Sequence, residues 1–188
     1  MKKIVILASG SGTNAENIVR YFEESELARV VAIITNNPKA GVLDRARKLG
    51  VQATVLPNKA IEDGTLQAKL KALRCDLVVL AGFLRKLPES LTQSFEKRII
   101  NIHPALLPDY GGPGMYGKRV HQAVVKNEEE VSGITIHYVD ENYDEGEIIF
   151  QEEVEIDYED TWEDVEYKVR ELEHRHYPSV IEYLLPNL

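Results

Sequence analysis

Cysteine, positive charge and long apolar runs are scarce in this sequence, and each scarcity narrows the class of protein. The single cysteine, Cys75, cannot form an internal disulfide, which suits a reducing compartment such as the cytoplasm. The 22 lysines and arginines are outnumbered by 31 aspartates and glutamates, and the net charge of −9 disfavours general binding to nucleic acid or to an anionic membrane. The N-terminal apolar run, residues 4–8, is too short for a signal-peptide core or a membrane span and is typical of a buried strand. We therefore expect a cytoplasmic globular protein with no nucleic-acid or membrane partner.

Apolar strands alternate with helices through the first half of the chain. The pattern predicts strands over residues 4–8, 30–35, 52–56, 76–82 and 99–102. It predicts helices after residue 14 and over residues 41–49, 62–73 and 88–95. Strands that are apolar throughout are typical of a parallel sheet covered by helices on both faces, so we assign the chain to the α/β class.

The second half of the chain changes in character. The glycine-rich residues 111–117 predict a mobile loop, and a helix is expected over residues 118–126. Two strands, 132–139 and 147–156, are separated by a short polar turn and predict an antiparallel hairpin that extends the sheet. A capping box that starts at Asp160 predicts a last helix, which we expect to end near Tyr177 and Pro178. No linker or repeat interrupts the chain, so residues 1–188 are expected to form a single domain.

The segment 101–108, Asn-Ile-His-Pro-Ala-Leu-Leu-Pro, follows the apolar pair at residues 99–100. Its two prolines exclude regular structure, so Asn101 and His103 are held on stiff backbone at the carboxyl end of a strand. Ligands bind at that edge of open α/β sheets. An amide donor beside an imidazole suits acyl chemistry, in which a carbonyl oxygen gains negative charge. The alternative is that Asn101 caps a turn and His103 is a structural histidine.

A glycine loop, residues 10–14, lies between the first strand and a helix N-terminus. Backbone N–H groups and hydroxyls there favour an anion, and the spacing also fits the G-x-G-x-x-A dinucleotide pattern. The dinucleotide pattern expects Asp or Glu at the end of the second strand, where this chain has Thr35, Asn36 and Asn37. A phosphate monoester is therefore favoured, although a plain glycine turn with Asn14 as the helix cap is an alternative.

Asp144 lies in the acidic hairpin turn, where a solvated carboxylate is one interpretation and a partner for His103 is the other. A carboxylate close to His103 is expected to raise the pKa of the imidazole. His137 is either a satisfied core histidine or part of the site, and His121 is expected at the surface.

The histidines have no zinc-site spacing and no C-x-x-C is present, so no metal is expected. The loop also lacks the spacing of a serine-hydrolase nucleophile elbow.

These motifs occur in one order and at familiar spacing: residues 9–14, 80–84, 101–108 and 133–137, followed by Asp144. On these residues the chain resembles the folate-dependent formyltransferase family, and within it the phosphoribosylglycinamide formyltransferases, over essentially its whole length. The resemblance implies a three-layer formyltransferase fold with a mostly parallel sheet. Residues 1–100 would form the Rossmann-like phosphate-binding half, and residues 101–188 the catalytic and folate-binding half.

The resemblance also implies the site residues. It places the catalytic groups at Asn101, His103 and Asp144. It places the substrate phosphate at Gly12, Thr13, Asn14, Arg170 and Glu173. Family members often carry an uncharged amide at the position of Arg170, and a guanidinium there favours phosphate further. The folate pocket maps onto Leu84, Arg85, Lys86, Leu87, Asn101, Val139, Asp140 and Asp144, with Arg85 facing the glutamate tail. The family's second tail-binding arginine has no counterpart in residues 60–65.

The implied reaction moves the formyl group of 10-formyltetrahydrofolate to the amine of 5'-phosphoribosylglycinamide, in de novo purine (IMP) synthesis. Asn101 and a protonated His103 would stabilise the oxyanion, and Asp144 would keep His103 charged. The partners would be these small molecules alone, bound to a monomer or homodimer without a metal. The alternatives are a methionyl-tRNA formyltransferase, a formyltetrahydrofolate hydrolase, and a non-catalytic phosphometabolite sensor. The acidic composition disfavours tRNA.

Overall fold

The computed structural model describes all residues from 1 to 188, and its centre is one seven-stranded sheet with the order β3-β2-β1-β4-β5-β6-β7. The strands are β1 (Lys2–Leu7), β2 (Ala28–Thr35), β3 (Ala53–Val55), β4 (Leu77–Leu80), β5 (Ile99–His103), β6 (Val131–Tyr138) and β7 (Ile148–Glu155). The first five strands are parallel, whereas β6 is antiparallel to both β5 and β7. The predicted α/β sheet with a C-terminal antiparallel hairpin is therefore confirmed.

Helices cover both faces of this sheet. They are α1 (Thr13–Tyr21), α2 (Val42–Lys48), α3 (Asn58–Glu62), α4 (Thr65–Ala72), α5 (Glu89–Ser94), α6 (Lys118–Lys126) and α7 (Trp162–Leu184), followed by a 3-10 turn at Leu185–Asn187. The helix predicted over residues 62–73 is present as α4, but it begins three residues later, and the short helix α3 before it was not predicted. Gly64 separates them with φ +89°, a left-handed conformation that glycine adopts without strain.

The alternation of side chains along β1 shows how the layers form. Ile4 and Ile6 belong to an apolar cluster that includes residues of α1 and α7, whereas Val5 and Leu7 belong to a second cluster with residues of α4 and α5. All four side chains are fully buried. Successive strand residues point to opposite faces, so a strand that is apolar at every position requires cover on both sides. The three-layer arrangement follows from this requirement.

Helix α7 differs from its prediction at both ends. Its N-cap is Thr161, whose side chain accepts from the Asp164 N–H in a capping box, so the predicted box that starts at Asp160 is wrong by one residue. The predicted end near Pro178 is also wrong, because the helix continues to Leu184. Pro178 has no N–H for the carbonyl of His174 one turn earlier, and Asn17 Nδ2 of α1 donates to that carbonyl instead, at 2.7 Å. Neither α7 nor any other helix combines the length and the apolar character that crossing a membrane requires.

Candidate active site

A cavity of about 430 Å³ opens at the carboxyl edge of the central strands. Every residue that the sequence assigned to catalysis, phosphate or folate lines this one cavity: Gly12, Thr13, Asn14, Leu84, Arg85, Lys86, Leu87, Asn101, His103, Val139, Asp140, Asp144, Arg170 and Glu173. The chain contains no group of three or more His, Cys, Asp or Glu side chains arranged to hold a metal ion. The arrangement offers hydrogen-bond donors, an imidazole and a carboxylate around one shared space.

Asn101 is oriented by a partner across the sheet. It stands opposite His137 in the antiparallel register of β5 and β6, so the two side chains share a face. Asn101 Nδ2 lies 3.2 Å from His137 Nε2, and the other ring nitrogen of His137 lies 2.8 Å from the carbonyl oxygen of Tyr138. That carbonyl can only accept, so Nδ1 of His137 carries a proton. The second amide N–H of Asn101 is not needed for this contact and is available to a ligand.

His103 is buried, with 4% of its surface exposed, and both ring nitrogens face acceptors. Nε2 donates to the carbonyl oxygen of Tyr110 at 2.7 Å, and Nδ1 lies 3.6 Å from Asp144 Oδ2. Burial lowers the pKa of His103, and this effect exceeds the opposing influence of Asp144 and of the Tyr110 carbonyl, so the pKa lies below its ordinary value. The expectation of a raised pKa is therefore wrong. The predicted proximity of Asp144 and His103 is confirmed.

Asp144 is held between two histidines. Its Oδ2 accepts the Gly112 N–H at 3.0 Å, and its Oδ1 lies 3.6 Å from Nε2 of His137. Burial raises the pKa of Asp144, but the His137 and His103 rings and the Gly112 N–H together outweigh it, and the pKa lies below its usual value. The turn reaches this position because Gly146 lies against β6, where an added Cβ would stand 1.8 Å from the Tyr138 carbonyl oxygen. Asp144 is thus an ionised acceptor at neutral pH.

The proline-bounded segment after β5 is fixed by Thr135 of β6. Its hydroxyl donates to the carbonyl of Ala105 at 2.7 Å and accepts the Leu107 N–H at 2.9 Å. Gln151 Nε2 of β7 lies 2.8 Å from the same hydroxyl and donates to the Leu107 carbonyl at 2.9 Å. The irregular backbone beside His103 is therefore anchored to the C-terminal hairpin, as its buried polar groups require.

The glycine loop forms one end of the cavity. Gly12 precedes α1 with φ +79° and supplies no side-chain cap, so the alternative in which Asn14 caps the helix is wrong. Asn14 Nδ2 instead donates to Glu173 Oε2 of α7 at 2.8 Å. Burial raises the pKa of Glu173 to about 7, against the lowering effect of Asn14 and the Arg170 charge. The first N–H groups of α1 have no intrahelical acceptors and suit an anion at this end.

A second wall follows β4. Leu84, Arg85 and Lys86 are exposed in the loop after this strand, and Leu87 is buried beneath them. The Leu84 N–H donates to Ser9 Oγ at 3.0 Å, which joins this wall to the start of the glycine loop. Lys86 Nζ lies 5.6 Å from the centre of the Tyr143 ring in the hairpin turn. The wall combines an apolar floor with two cationic side chains, a composition that suits a flat ring system with an acidic tail.

Residues 2–181 match the family described as Formyl transferase. The chain belongs to the formyl transferase family. The phosphoribosylglycinamide formyltransferase of Bacillus subtilis is 40% identical over 191 residues, which cover 98% of this chain and 95% of that protein. The enzyme of the same name from Haemophilus influenzae is 36% identical and covers 97% of this chain and 87% of its own length. The resemblance inferred from the motifs is therefore confirmed.

Solved structures of the formyl transferase family agree with the fold. The crystal structure titled glycinamide ribonucleotide transformylase 1 from Symbiobacterium toebii matches with a TM-score of 0.91 and 35% identity, over 100% of this chain and 89% of that chain. The phosphoribosylglycinamide formyltransferase from Bacillus halodurans matches with a TM-score of 0.89 and 38% identity, over 98% of this chain and 95% of that chain. The likeness extends from the glycine loop through the last helix.

His121 is a site neighbour that the sequence misplaced. It is buried in α6, with 3% of its surface exposed, and it lines the cavity, so the expectation of a surface position is wrong. Its Nδ1 is buried without a hydrogen-bond partner. Burial, and secondarily the charge of His103, lower the pKa of His121 to about 4. The available signal was its position one residue after Val120 and three before Val124, because these buried residues define the inner side of α6.

His121→Phe is expected to reduce the acid sensitivity of folding. Unfolded His121 binds a proton near pH 6.5, whereas the folded residue stays neutral down to about pH 4. The unfolded state therefore gains protons first as the pH falls. At about 1.4 kcal/mol per pH unit, the free energy of unfolding of the wild-type protein falls by roughly 3 kcal/mol through this group between the two pKa values. Urea unfolding at pH 7.5 and pH 4.5 measures the difference. His176→Phe, on α7, controls for added apolar surface, and an unchanged pH slope in His121→Phe contradicts the prediction.

Proposed function

We propose that this member of the formyl transferase family transfers the formyl group of 10-formyltetrahydrofolate to the amine of 5'-phosphoribosylglycinamide. The products are 5'-phosphoribosyl-N-formylglycinamide and tetrahydrofolate. One observation carries the proposal: a single cavity joins an anion-binding helix N-terminus to the cluster of Asn101, His103 and Asp144. A substrate with a phosphate at one end and an amine at the other spans this space. The names of the relatives support the same substrate.

The three side chains divide the chemistry of the transfer. The amine attacks the formyl carbon, and the carbonyl oxygen becomes an oxyanion in a tetrahedral intermediate. The free amide N–H of Asn101 donates to that oxyanion, where such a donor has its largest effect. The attacking nitrogen loses one proton, and the leaving folate nitrogen gains one, so a group that accepts and returns a proton balances the reaction.

His103 and Asp144 form this proton-transfer pair. The lowered pKa of His103 leaves its imidazole neutral at neutral pH, and Nδ1 lies 3.6 Å from Oδ2 of Asp144. A proton released by the amine converts Nδ1 to N–H, and the imidazolium then has an acceptor at each nitrogen. Its positive charge stabilises the oxyanion until the proton passes to the leaving nitrogen. Asp144 therefore favours a charged His103 during the reaction, although burial disfavours it beforehand.

The remaining lining residues bind the two substrates. Gly12, Thr13 and Asn14 offer donors to the phosphate, and Arg170 adds the guanidinium that suits it. The folate lies against Leu84, Arg85, Lys86, Leu87, Val139 and Asp140, with Arg85 on the glutamate tail. Bringing both reactants together makes much of the rate gain positional. We also infer a cytoplasmic location, since the single buried cysteine suits a reducing compartment.

The test is formyl transfer followed by absorbance, with both substrates and with each one omitted. The expected result is turnover that requires both 10-formyltetrahydrofolate and 5'-phosphoribosylglycinamide. Release of tetrahydrofolate without the ribonucleotide would assign the chain to the formyltetrahydrofolate hydrolases instead. Binding of the ribonucleotide in calorimetry without any turnover would favour a phosphometabolite sensor.

A further inference from the structure

Three consecutive carbonyl groups before α1 are held from one side. The carbonyl oxygens of Ser9, Gly10 and Ser11 accept from donors in the segment that joins β2 to α2 and from α2 itself. The donors are Asn37 Nδ2 at 3.3 Å, the Val42 backbone N–H at 3.1 Å and Arg45 Nε at 2.8 Å, respectively. None of these three donor residues lines the cavity. These hydrogen bonds therefore hold the loop on the side that faces away from the cavity.

These three hydrogen bonds set the direction of the N–H groups in the loop. A trans peptide unit is planar, and its N–H points opposite to its C=O. Holding the carbonyls of residues 9–11 toward α2 therefore turns the N–H groups of Gly10, Ser11 and Gly12 the other way. These three residues line the cavity, and none of their N–H groups donates to a backbone carbonyl. Successive N–H groups aimed at one space form an anion-binding nest.

Helix α2 packs directly against the loop at Gly12. A Cβ on Gly12 would stand 2.4 Å from Val42 Cγ2 and 2.8 Å from Val42 Cα. Arg45, one turn farther along α2, reaches the Ser11 carbonyl and also pairs with Glu16 of α1. Hydrogen bonds from Arg45, and then from Arg20, lower the pKa of Glu16, so that carboxylate is ionised at neutral pH. The Arg45 charge is therefore compensated within the protein.

We propose that Arg45 is a positioning residue for the substrate phosphate, acting through the Ser11 carbonyl and not as a counter-ion. It fixes the peptide plane between residues 11 and 12, and with it the N–H of Gly12. Glu16 holds the guanidinium in place for this purpose. The inference rests on the proposed function, since it takes the glycine loop as the phosphate subsite. It assigns to α2 a part in substrate binding although no α2 side chain meets the substrate.

The test compares Arg45→Met with Arg47→Met. Arg47 lies on the same helix and pairs with Asp44 at 2.7 Å in an exposed ion pair, so its replacement removes the same charge without touching the loop. Arg45→Met is expected to raise the KM for 5'-phosphoribosylglycinamide about tenfold, or about 1.4 kcal/mol. The kcat and the KM for 10-formyltetrahydrofolate should stay within about twofold, and ribose 5-phosphate binding in calorimetry should weaken as the KM rises. Arg45→Lys, which keeps a donor, should recover part of the loss.

Glu16→Gln separates positioning from direct charge. If Arg45 were a counter-ion for phosphate, freeing it from Glu16 would tighten ribose 5-phosphate binding. Positioning predicts weaker or equal binding, because the guanidinium loses its charged anchor. Tighter binding in Glu16→Gln overturns the proposal, as does an unchanged KM in Arg45→Met or an equal rise in Arg47→Met. A wild-type chain that neither binds ribose 5-phosphate nor turns over instead contradicts the proposed function. If Arg45→Met fails to fold, the same comparisons are made with Arg45→Lys.

Discussion

His103→Ala is expected to lower the kcat of formyl transfer by about 10²–10⁴-fold, the range typical of losing a general acid–base group. The variant removes the imidazole whose ring nitrogens face the Tyr110 carbonyl and the Asp144 carboxylate. The proton lost by the amine then lacks the acceptor that we propose for it, and the oxyanion loses a nearby cation. The KM for the ribonucleotide should change little, because the proposed phosphate subsite lies at the other end of the cavity. Steady-state kinetics with both substrates measure the split.

Folding must be separated from chemistry in this experiment. The Tyr110 carbonyl loses its donor in His103→Ala, and such a loss costs about 1–3 kcal/mol of stability when the group stays buried. His103→Gln keeps an amide N–H near that carbonyl but has no titratable nitrogen. We expect both variants to bind ribose 5-phosphate with wild-type affinity and neither to transfer formyl at more than a hundredth of the wild-type rate. A His103→Gln protein that keeps a tenth of the activity would exclude proton transfer by His103.

Asp144→Asn is expected to lower kcat by about 10²-fold and to move the titration of His103 to lower pH. Burial already holds the pKa of His103 below its ordinary value, and Asp144 is the main group that opposes this effect. Removing the negative charge therefore lowers the pKa further, so less imidazolium exists at any given pH. Its protonated form is lost as pH rises through a lower value than in the wild type. Imidazole titration by NMR, together with kcat against pH, measures both shifts.

The asparagine at position 144 can still accept the Gly112 N–H, so the turn should keep its shape. Glu145→Gln is the matched control, because this neighbouring carboxylate is exposed in the same turn. The control should leave both the His103 titration and kcat unchanged. If Asp144→Asn also leaves them unchanged, the carboxylate has no role in holding the proton on His103.

Local pattern was enough to predict the sheet and the position of the site. The apolar runs around Val5, Val79 and Ile100 have no polar face, and that requires cover on both sides wherever the strands lie. Prolines 104 and 108 end β5 immediately beyond His103, so its place at the carboxyl edge follows from the sequence. The prediction that Asp144 lies close to His103 depended on the family resemblance, because the sequence of the turn alone is typical of an acidic surface.

The errors concern properties that arise only when distant residues meet. The burial of His121 depends on how α6 rotates against the rest of the fold, and its only local sign was the spacing to Val120 and Val124. The continuation of α7 through Pro178 depends on Asn17, which supplies a donor from 157 residues away to the carbonyl of His174. The pKa of His103 is the difference between two opposing effects, and sequence shows the charge of Asp144 but not the extent of burial.

The bond between Asn17 and His174 also has a mechanical consequence for the cavity. It ties α1, which begins at the glycine loop, to α7, which carries Arg170 and Glu173, so the two groups of residues proposed to bind the phosphate are linked to each other. The groups that fix His103 and Asp144 instead include the Tyr110 carbonyl and the Gly112 N–H, which lie at the start of the glycine-rich stretch. The residues proposed to bind the phosphate are thus held by contacts between two packed helices, whereas those proposed to transfer the proton are held by a loop.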